Sequence, residues 1–290
     1  MGFCGVKMDK IRIDKVVIFG AGRMGSTIAI AMAQAGIKVV VVSRKDKNKV
    51  FSLVVPRLIK SIEKKELTIK NKSKILENIS GTVKVNVSAD ADLVLDAITE
   101  NFEEKKKLFK QLNLICAPKT IFATNTSALS VERLSLISNR PNQFIGMHFF
   151  NPADKMKLVE IIRTKTVSES VVRRIKEIVK KINKEFIVIE DIPGFIVNRL
   201  FFPMLNEAVN LVEEKVASPG DVDRAMFFGA NFPMGPLALA DLIGLDICLA
   251  ILESLYKRTE DKKYAPSSLL LKKVRSGQLG KKTHRGFYSY

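Results

Sequence analysis

Residues 15–36 read KVVIFGAGRMGSTIAIAMAQAG, and no other part of the chain constrains the architecture as strongly. The run before Gly20 is continuously apolar, as a strand buried on both faces requires. After Gly25 the apolar residues recur at helical spacing through Ile28, Met32 and Ala35, and the pattern stops at Gly36. Strand, glycine turn and helix thus succeed one another without interruption. In such a turn Gly20 permits the tight bend, Gly22 lets a pyrophosphate approach the backbone, and Gly25 lets the helix pack closely on the strand. The phosphates then meet the positive end of the helix. A lone G-x-G-x-x-G is a weak signal, but here it sits between the elements it needs, and a second apolar strand comes at 37–42. The stretch predicts a dinucleotide-binding unit.

The end of that second strand selects between dinucleotides. An acid there accepts the ribose hydroxyls of NAD, whereas this chain reads Val42-Ser43-Arg44-Lys45. A hydroxyl, a guanidinium and an ammonium donate hydrogen bonds and carry positive charge where a carboxylate would repel a 2′-phosphate. NADP(H) is therefore expected over NAD; the alternative is NAD bound without the acid, with Ser43 and Arg44 as plain surface residues.

Further along, 45–66 and 71–78 read as a basic helical excursion, with Pro56 kinking or starting a segment. Residues 83–87 alternate like a partly exposed strand, 93–98 form another buried run leading into Thr99-Glu100-Asn101, 102–116 are amphipathic, and 120–124 read as a strand. Strands alternating with helices imply a mostly parallel sheet, whose ligands gather at the carboxyl ends of the strands. Glu100, the Asn125-Thr126-Ser127 turn and His148 all fall there. After a helix at 168–182 and a strand at 186–189, Asp191-Ile192-Pro193-Gly194 breaks the pattern, and the remainder of the chain reads as helical. The fold class expected is α/β: a mostly parallel sheet domain over 1–192, then a smaller all-α domain over 193–290.

His148 is one of only two histidines in the chain. Residues 143–149 and 157–162 read as short strands with turn chemistry at Asn151-Pro152 between them, so two strand ends can bring Glu160 to His148. A carboxylate beside an imidazole stabilises the charged ring and fixes which nitrogen carries the hydrogen, which makes a general base. Read alone, the pair could equally be a core histidine satisfied by a neighbouring acid. Its convergence with other polar groups on one sheet edge favours catalysis.

Composition narrows the classes further. A chain of 290 residues, 47% hydrophobic and 27% charged, can form two packed domains. No apolar run is long enough to span a membrane, and the N-terminal segment lacks a signal peptide's apolar core. Cys4, Cys116 and Cys248 are odd in number and without metal-ligand spacing, as free thiols in a reducing compartment would be, so no metal and a cytoplasmic location are expected. The net charge of +18 is spread over helix faces, with no finger or RNA-binding aromatic motif interleaved, which argues against nucleic acid as a partner.

GAGRMG at 20–25, AITENFEEKKKLF at 97–109, IFATNTSALS at 121–130, GMHFFNPADKMKLVEII at 146–162, DIPGFIVNRL at 191–200, FPMGPLALADLIGLD at 232–246 and LGKKTHRGFYSY at 279–290 stand in order. In these motifs the chain, from Val16 to Tyr290, resembles the L-3-hydroxyacyl-CoA dehydrogenase family, and within it the small bacterial 3-hydroxybutyryl-CoA type. The resemblance implies a Rossmann-type domain, a helical dimerising domain, active sites between them, an acyl-CoA substrate and a homodimer. It makes His148 the general base, Glu160 its orienting carboxylate, Ser127 a hydrogen-bond partner of the substrate oxygen and Asn198 a contact near the thioester. It gives Gly20, Gly22 and Gly25 to the pyrophosphate, and Glu100, Lys105, Asn125 and Asn151 to the cofactor. Lys60, Lys64 and Lys65 read first as plain solvated charges on the helical excursion, and otherwise as candidates for the nucleotide end of coenzyme A. Two departures stand out: Ser43-Arg44 replaces the usual acid, and His284 stands where the family pattern has glycine. The rival readings are another β-hydroxyacid or sugar-acid dehydrogenase on the same scaffold, and a dinucleotide-binding protein without activity.

Overall fold

The computed structural model describes residues 13–290; Cys4 and the N-terminal residues before Ile13 lie outside the described residues. The chain divides into two compact units, Met1–Asp191 and Ile192–Tyr290.

In the first unit, strands β1 (Lys15–Phe19), β2 (Lys38–Val42), β3 (Ile79–Thr82), β4 (Leu93–Asp96), β5 (Ile121–Thr124), β6 (Phe144–Phe149), β7 (Leu158–Arg163) and β8 (Glu185–Glu190) form one sheet in the order β3-β2-β1-β4-β5-β6-β7-β8. The first six are parallel, β7 is antiparallel to β6, and β8 is parallel to β7. The order reverses at β1, between β2 and β4, and such a switch point is where open sheets of this kind bind ligands. Helices α1 (Arg23–Gln34), α2 (Lys49–Glu63), α3 (Ile69–Glu77), α4 (Phe102–Ile115), α5 (Val131–Ile137) and α6 (Glu169–Lys181) flank the sheet. Both faces are covered. Val16 and Ile18 pack in one cluster with Ile28 and Met32 of α1, and Ile145, Met147 and Ile161 in that cluster meet Val171, Ile175 and Val179 of α6. Elsewhere Phe109 of α4 lies edge-on to Phe144 at 4.7 Å between ring centroids. Burial on both sides explains why β1, β4, β5 and β6 are largely apolar rather than alternating.

One local expectation is corrected. Residues 83–87 are not a strand: a short 3₁₀ turn covers Val85–Ser88, and the edge strand on this side is β3. Pro56 lies inside α2, so of its two expected places, a kink or a start, it is not the start. The helix starts do obey sequence signals. Asn101 accepts a hydrogen bond from the Glu104 amide at 3.0 Å at the head of α4, and Ser130 accepts one from Arg133 at the head of α5.

The second unit comprises α7 (Val197–Glu213), α8 (Pro219–Gly229), α9 (Pro236–Ile243), α10 (Leu245–Thr259) and α11 (Ser268–Arg275) around Phe202, Leu205, Val209, Leu237, Leu252 and Leu270. Its C-terminal tail is held by buried Asp241, whose carboxylate accepts the Phe287 and Tyr288 amides at 3.0 and 2.9 Å. Tyr288 in turn donates its hydroxyl to Asp223 at 2.7 Å. Burial, and then that bond, push the Tyr288 phenol above its ordinary pKa, which keeps it a donor. Asp241→Asn replaces one accepting oxygen by a donor facing a backbone N–H. It is expected to cost about 1.5–3 kcal/mol, the range for hydrogen bonds to a charged group. Urea unfolding of this unit measures it, and a loss below about 0.5 kcal/mol, under the net worth of even a neutral hydrogen bond, would show that the tail is held by its apolar contacts alone.

No helix among the described residues is long and apolar enough to cross a membrane. Cys116 and Cys248 are buried free thiols.

Candidate active site

The turn after β1 is shaped for a phosphate group. Gly20 has φ +112°, and a Cβ there would sit 2.4 Å from the Ala97 carbonyl oxygen. At Gly25 a Cβ would fall 1.8 Å from the Gly20 oxygen, so helix and strand approach as closely as the backbone allows. A Cβ on Gly22 would instead point into open space, and Gly22 stands at the N-cap position of α1 without a side-chain hydrogen bond. An uncapped helix start with an open approach leaves backbone N–H groups for an anion. The residues present fit a dinucleotide pyrophosphate.

At the end of β2, Arg44 is exposed and pairs with Glu104 of α4 at 2.6 Å. Ser43 is buried and donates its hydroxyl to the Asp46 carbonyl, so this expected donor closes its own loop. Lys60, Lys64 and Lys65 are exposed at the C-terminal end of α2 and just beyond it.

β6 and β7 pair so that His148 stands directly opposite Glu160. Glu160 is fully buried and His148 is 4% exposed. The imidazole Nδ1 lies 2.7 Å from Glu160 Oε2, and Nε2 lies 3.2 Å from Ser127 Oγ. A carboxylate can only accept, so Nδ1 carries the hydrogen and donates it to Glu160. That leaves the Nε2 lone pair facing Ser127 at the carboxyl end of the sheet. A ring so fixed by an acid behind it, with a hydroxyl beside its basic nitrogen, can take a proton from a bound alcohol or return one.

Glu100, Lys105 and Asn125 have roles the sequence did not specify. Asn125 Oδ1 accepts the Phe149 amide at 2.8 Å, tying the end of β5 to the end of β6. Glu100 Oε1 accepts from Thr126 Oγ1 and from the Ser127 and Ala128 amides. Lys105, expected on the cofactor surface, is only 1% exposed, and its Nζ lies 2.7 Å from Asp96 Oδ2 and 3.6 Å from Glu100 Oε2. Asp96 is fully buried and also accepts Thr124 Oγ1 at 2.7 Å and the Ile98 amide at 3.0 Å. Sequence reasoning missed Asp96, and gave Thr126 no role beyond its place in the turn. An aspartate closing the apolar run LVLD was the available sign, since a charge buried there needs a partner. Asn151 is exposed in the loop between β6 and β7. Asn198 belongs to the second unit, where it is buried in the first turn of α7. Among the described residues no cluster of side chains could hold a metal ion.

Strand order, glycine turn and the open helix start define a Rossmann-type dinucleotide-binding protein, here with a histidine–carboxylate pair at its sheet edge. Family models of the 3-hydroxyacyl-CoA dehydrogenase NAD binding domain and C-terminal domain match residues 15–192 and 194–290. The chain belongs to the 3-hydroxyacyl-CoA dehydrogenase family. It is 46% identical to a probable 3-hydroxybutyryl-CoA dehydrogenase of Deinococcus radiodurans, over 95% of this chain and 100% of that one. To a probable 3-hydroxybutyryl-CoA dehydrogenase of Bacillus subtilis it is 42% identical, over 97% and 98%. Among solved structures, the (S)-3-hydroxybutyryl-CoA dehydrogenase of Ralstonia eutropha superposes with a TM-score of 0.92 at 42% identity, covering 96% of this chain and 99% of that one.

Proposed function

We propose that the protein is a 3-hydroxyacyl-CoA dehydrogenase that interconverts a 3-hydroxyacyl-CoA and the 3-oxoacyl-CoA, with 3-hydroxybutyryl-CoA and acetoacetyl-CoA as the pair the relatives' names favour. The observation that carries this reading is the Glu160–His148–Ser127 line, with its 2.7 and 3.2 Å separations, at the strand ends beyond a dinucleotide turn. When bound, the nicotinamide supplies or accepts the hydride at C3. His148 Nε2 takes the proton of the C3 hydroxyl in oxidation and gives it back in reduction. Glu160 holds the ring in the required tautomer and offsets the charge it gains. Ser127 Oγ, whose hydrogen faces His148 Nε2 in the free protein, turns it to the oxygen on which negative charge develops. Asn198 is assigned the thioester end by the resemblance alone.

We further propose NADP(H) as the preferred cofactor. What supports this is the absence of an acid at position 43 and the guanidinium of Arg44 beside it. The Arg44–Glu104 pair is exposed, and such pairs hold a side chain only weakly, so Arg44 can turn to a 2′-phosphate. A homodimer through the helical unit is supported by its exposed apolar side chains, Leu200, Val216, Phe227 and Phe228 among them, the last 76% exposed.

The test is a steady-state assay crossing NADH and NADPH with acetoacetyl-CoA, longer 3-oxoacyl-CoAs and free 3-oxo acids. Turnover of the thioesters but not of the free acids is expected, with kcat/KM at least about tenfold higher for NADPH, the return on one charge-assisted contact. Ser43→Asp with Arg44→Gln is expected to reverse the preference. A native preference for NADH would refute the cofactor assignment. Turnover of free acids alone would favour the sugar-acid or β-hydroxyacid reading, and no turnover at all the inactive one.

A further inference from the structure

The Ser127 turn is gripped from outside the proton-transfer pair. Three donors converge on one oxygen of Glu100: Thr126 Oγ1, the Ser127 amide at 2.8 Å and the Ala128 amide at 2.9 Å. Thr126 Oγ1 also accepts the Leu129 amide at 2.9 Å, so the whole Thr126–Leu129 turn is organised around that carboxylate. Glu100 is itself held. Its second oxygen faces Lys105 Nζ at 3.6 Å, and Lys105 is anchored by Asp96 at the end of β4.

We propose that Glu100 is a positioning residue for the reaction, clamping the turn so that Ser127 Oγ stays within reach of His148 Nε2 and of the substrate oxygen. The proposal rests on the dehydrogenase reading above and deepens it, because the resemblance gives Glu100 to the cofactor and not to the serine. The physical ground is that a hydroxyl on a short loop is useful only while the loop is fixed. A displacement on the order of 1 Å can cost about a hundredfold in rate. Without the carboxylate, two amides and a hydroxyl lose the acceptor on which they converge. The clamp also links the cation anchored on β4 to the turn leaving β5, so a rigid sheet rather than the loop sets the serine's position.

The test is a double-mutant cycle. Glu100→Ala is expected to lower kcat roughly 10- to 100-fold, while the dissociation constant of reduced cofactor, read by its fluorescence, stays within about twofold. Glu100→Gln keeps an accepting oxygen toward the turn and is expected to recover most of the rate. Ser127→Ala combined with Glu100→Ala is expected to be no slower than the worse single variant within about threefold, because a clamp has nothing to position once the hydroxyl is gone. Thr126→Val, which withdraws one donor from the same carboxylate, is carried through the same cycle and keeps the proposal testable should Glu100→Ala fold poorly. Multiplicative losses in the double variants, or about tenfold weaker cofactor binding at full kcat, would overturn the clamp and leave the dehydrogenase reading intact. A Ser127→Ala protein with undiminished kcat would overturn the clamp together with the serine's place in the reaction.

Discussion

His148→Asn is expected to lower kcat by about a thousandfold or more while the protein stays folded. That factor corresponds to roughly 4 kcal/mol of barrier. Loss of a positioned acid–base group by itself accounts for about 10²–10⁴ in rate. An asparagine amide can still donate toward Glu160 or toward a substrate oxygen, but it cannot carry a proton away, so the variant separates proton transfer from mere contact. The ring being 4% exposed, its replacement also opens a small space between β6 and the Ser127 turn. Circular dichroism and cofactor binding should therefore be measured beside the rate. A folded variant retaining more than about a tenth of native turnover, far above that acid–base range, would remove His148 from the chemistry.

Lys105→Met is expected to destabilise the sheet unit by about 3–5 kcal/mol, the usual cost of stripping one partner from a buried ion pair. Asp96 would keep Thr124 Oγ1 and the Ile98 amide as donors but would lose the ammonium that faces it at 2.7 Å. The charge, rather than the volume, is the cause, because methionine fills much of the space of the lysine stem. Combining Lys105→Met with Asp96→Asn should therefore recover a large part of the loss, since a neutral amide leaves no buried charge. Urea denaturation of the single and double variants provides the numbers. A single-variant cost below about 1 kcal/mol, or a double variant less stable than the single, would show that the pair is screened or otherwise satisfied.

How much of the fold is legible in the chain depends on the range of the forces involved. β1, the glycine turn and α1 are encoded within one short stretch, because a buried parallel strand must be apolar throughout and the turn must lack side chains. The His148–Glu160 pairing is legible too: two short strands that follow one another across the loop 150–157 face each other in few registers. β3 is not legible. Its sequence ISGT is short and contains a glycine, while VKVNV just beyond has the alternation of a strand. The structure decides otherwise because Gly81 runs against another backbone, where a Cβ would lie 1.8 Å from the Lys47 carbonyl oxygen. Helix α5 does carry a local sign, Ser130 as cap with Glu132 in the first turn, but at seven residues it is too short for an apolar period to stand out.

Among the site residues, the protein partners of Glu100 and Lys105 are not implied by local sequence. Glu100 meets amides 27 and 28 residues further on, and only the assembled strand ends show that meeting. Lys105 reads as one more exposed lysine in EEKKK until the packing of α4 turns it inward onto Asp96. At Ser43 the local partner is what the sequence does not show: its hydroxyl donates to its own loop, since serine readily bonds nearby backbone.

The central claim is hydride transfer between the nicotinamide and C3 of a 3-oxoacyl thioester, with His148 supplying the proton. Reduction of acetoacetyl-CoA by cofactor dideuterated at nicotinamide C4 tests it most directly. One deuterium at C3 of the 3-hydroxybutyryl-CoA product, with the hydroxyl proton drawn from solvent, is the result expected. Product formed without deuterium at C3 would contradict the account.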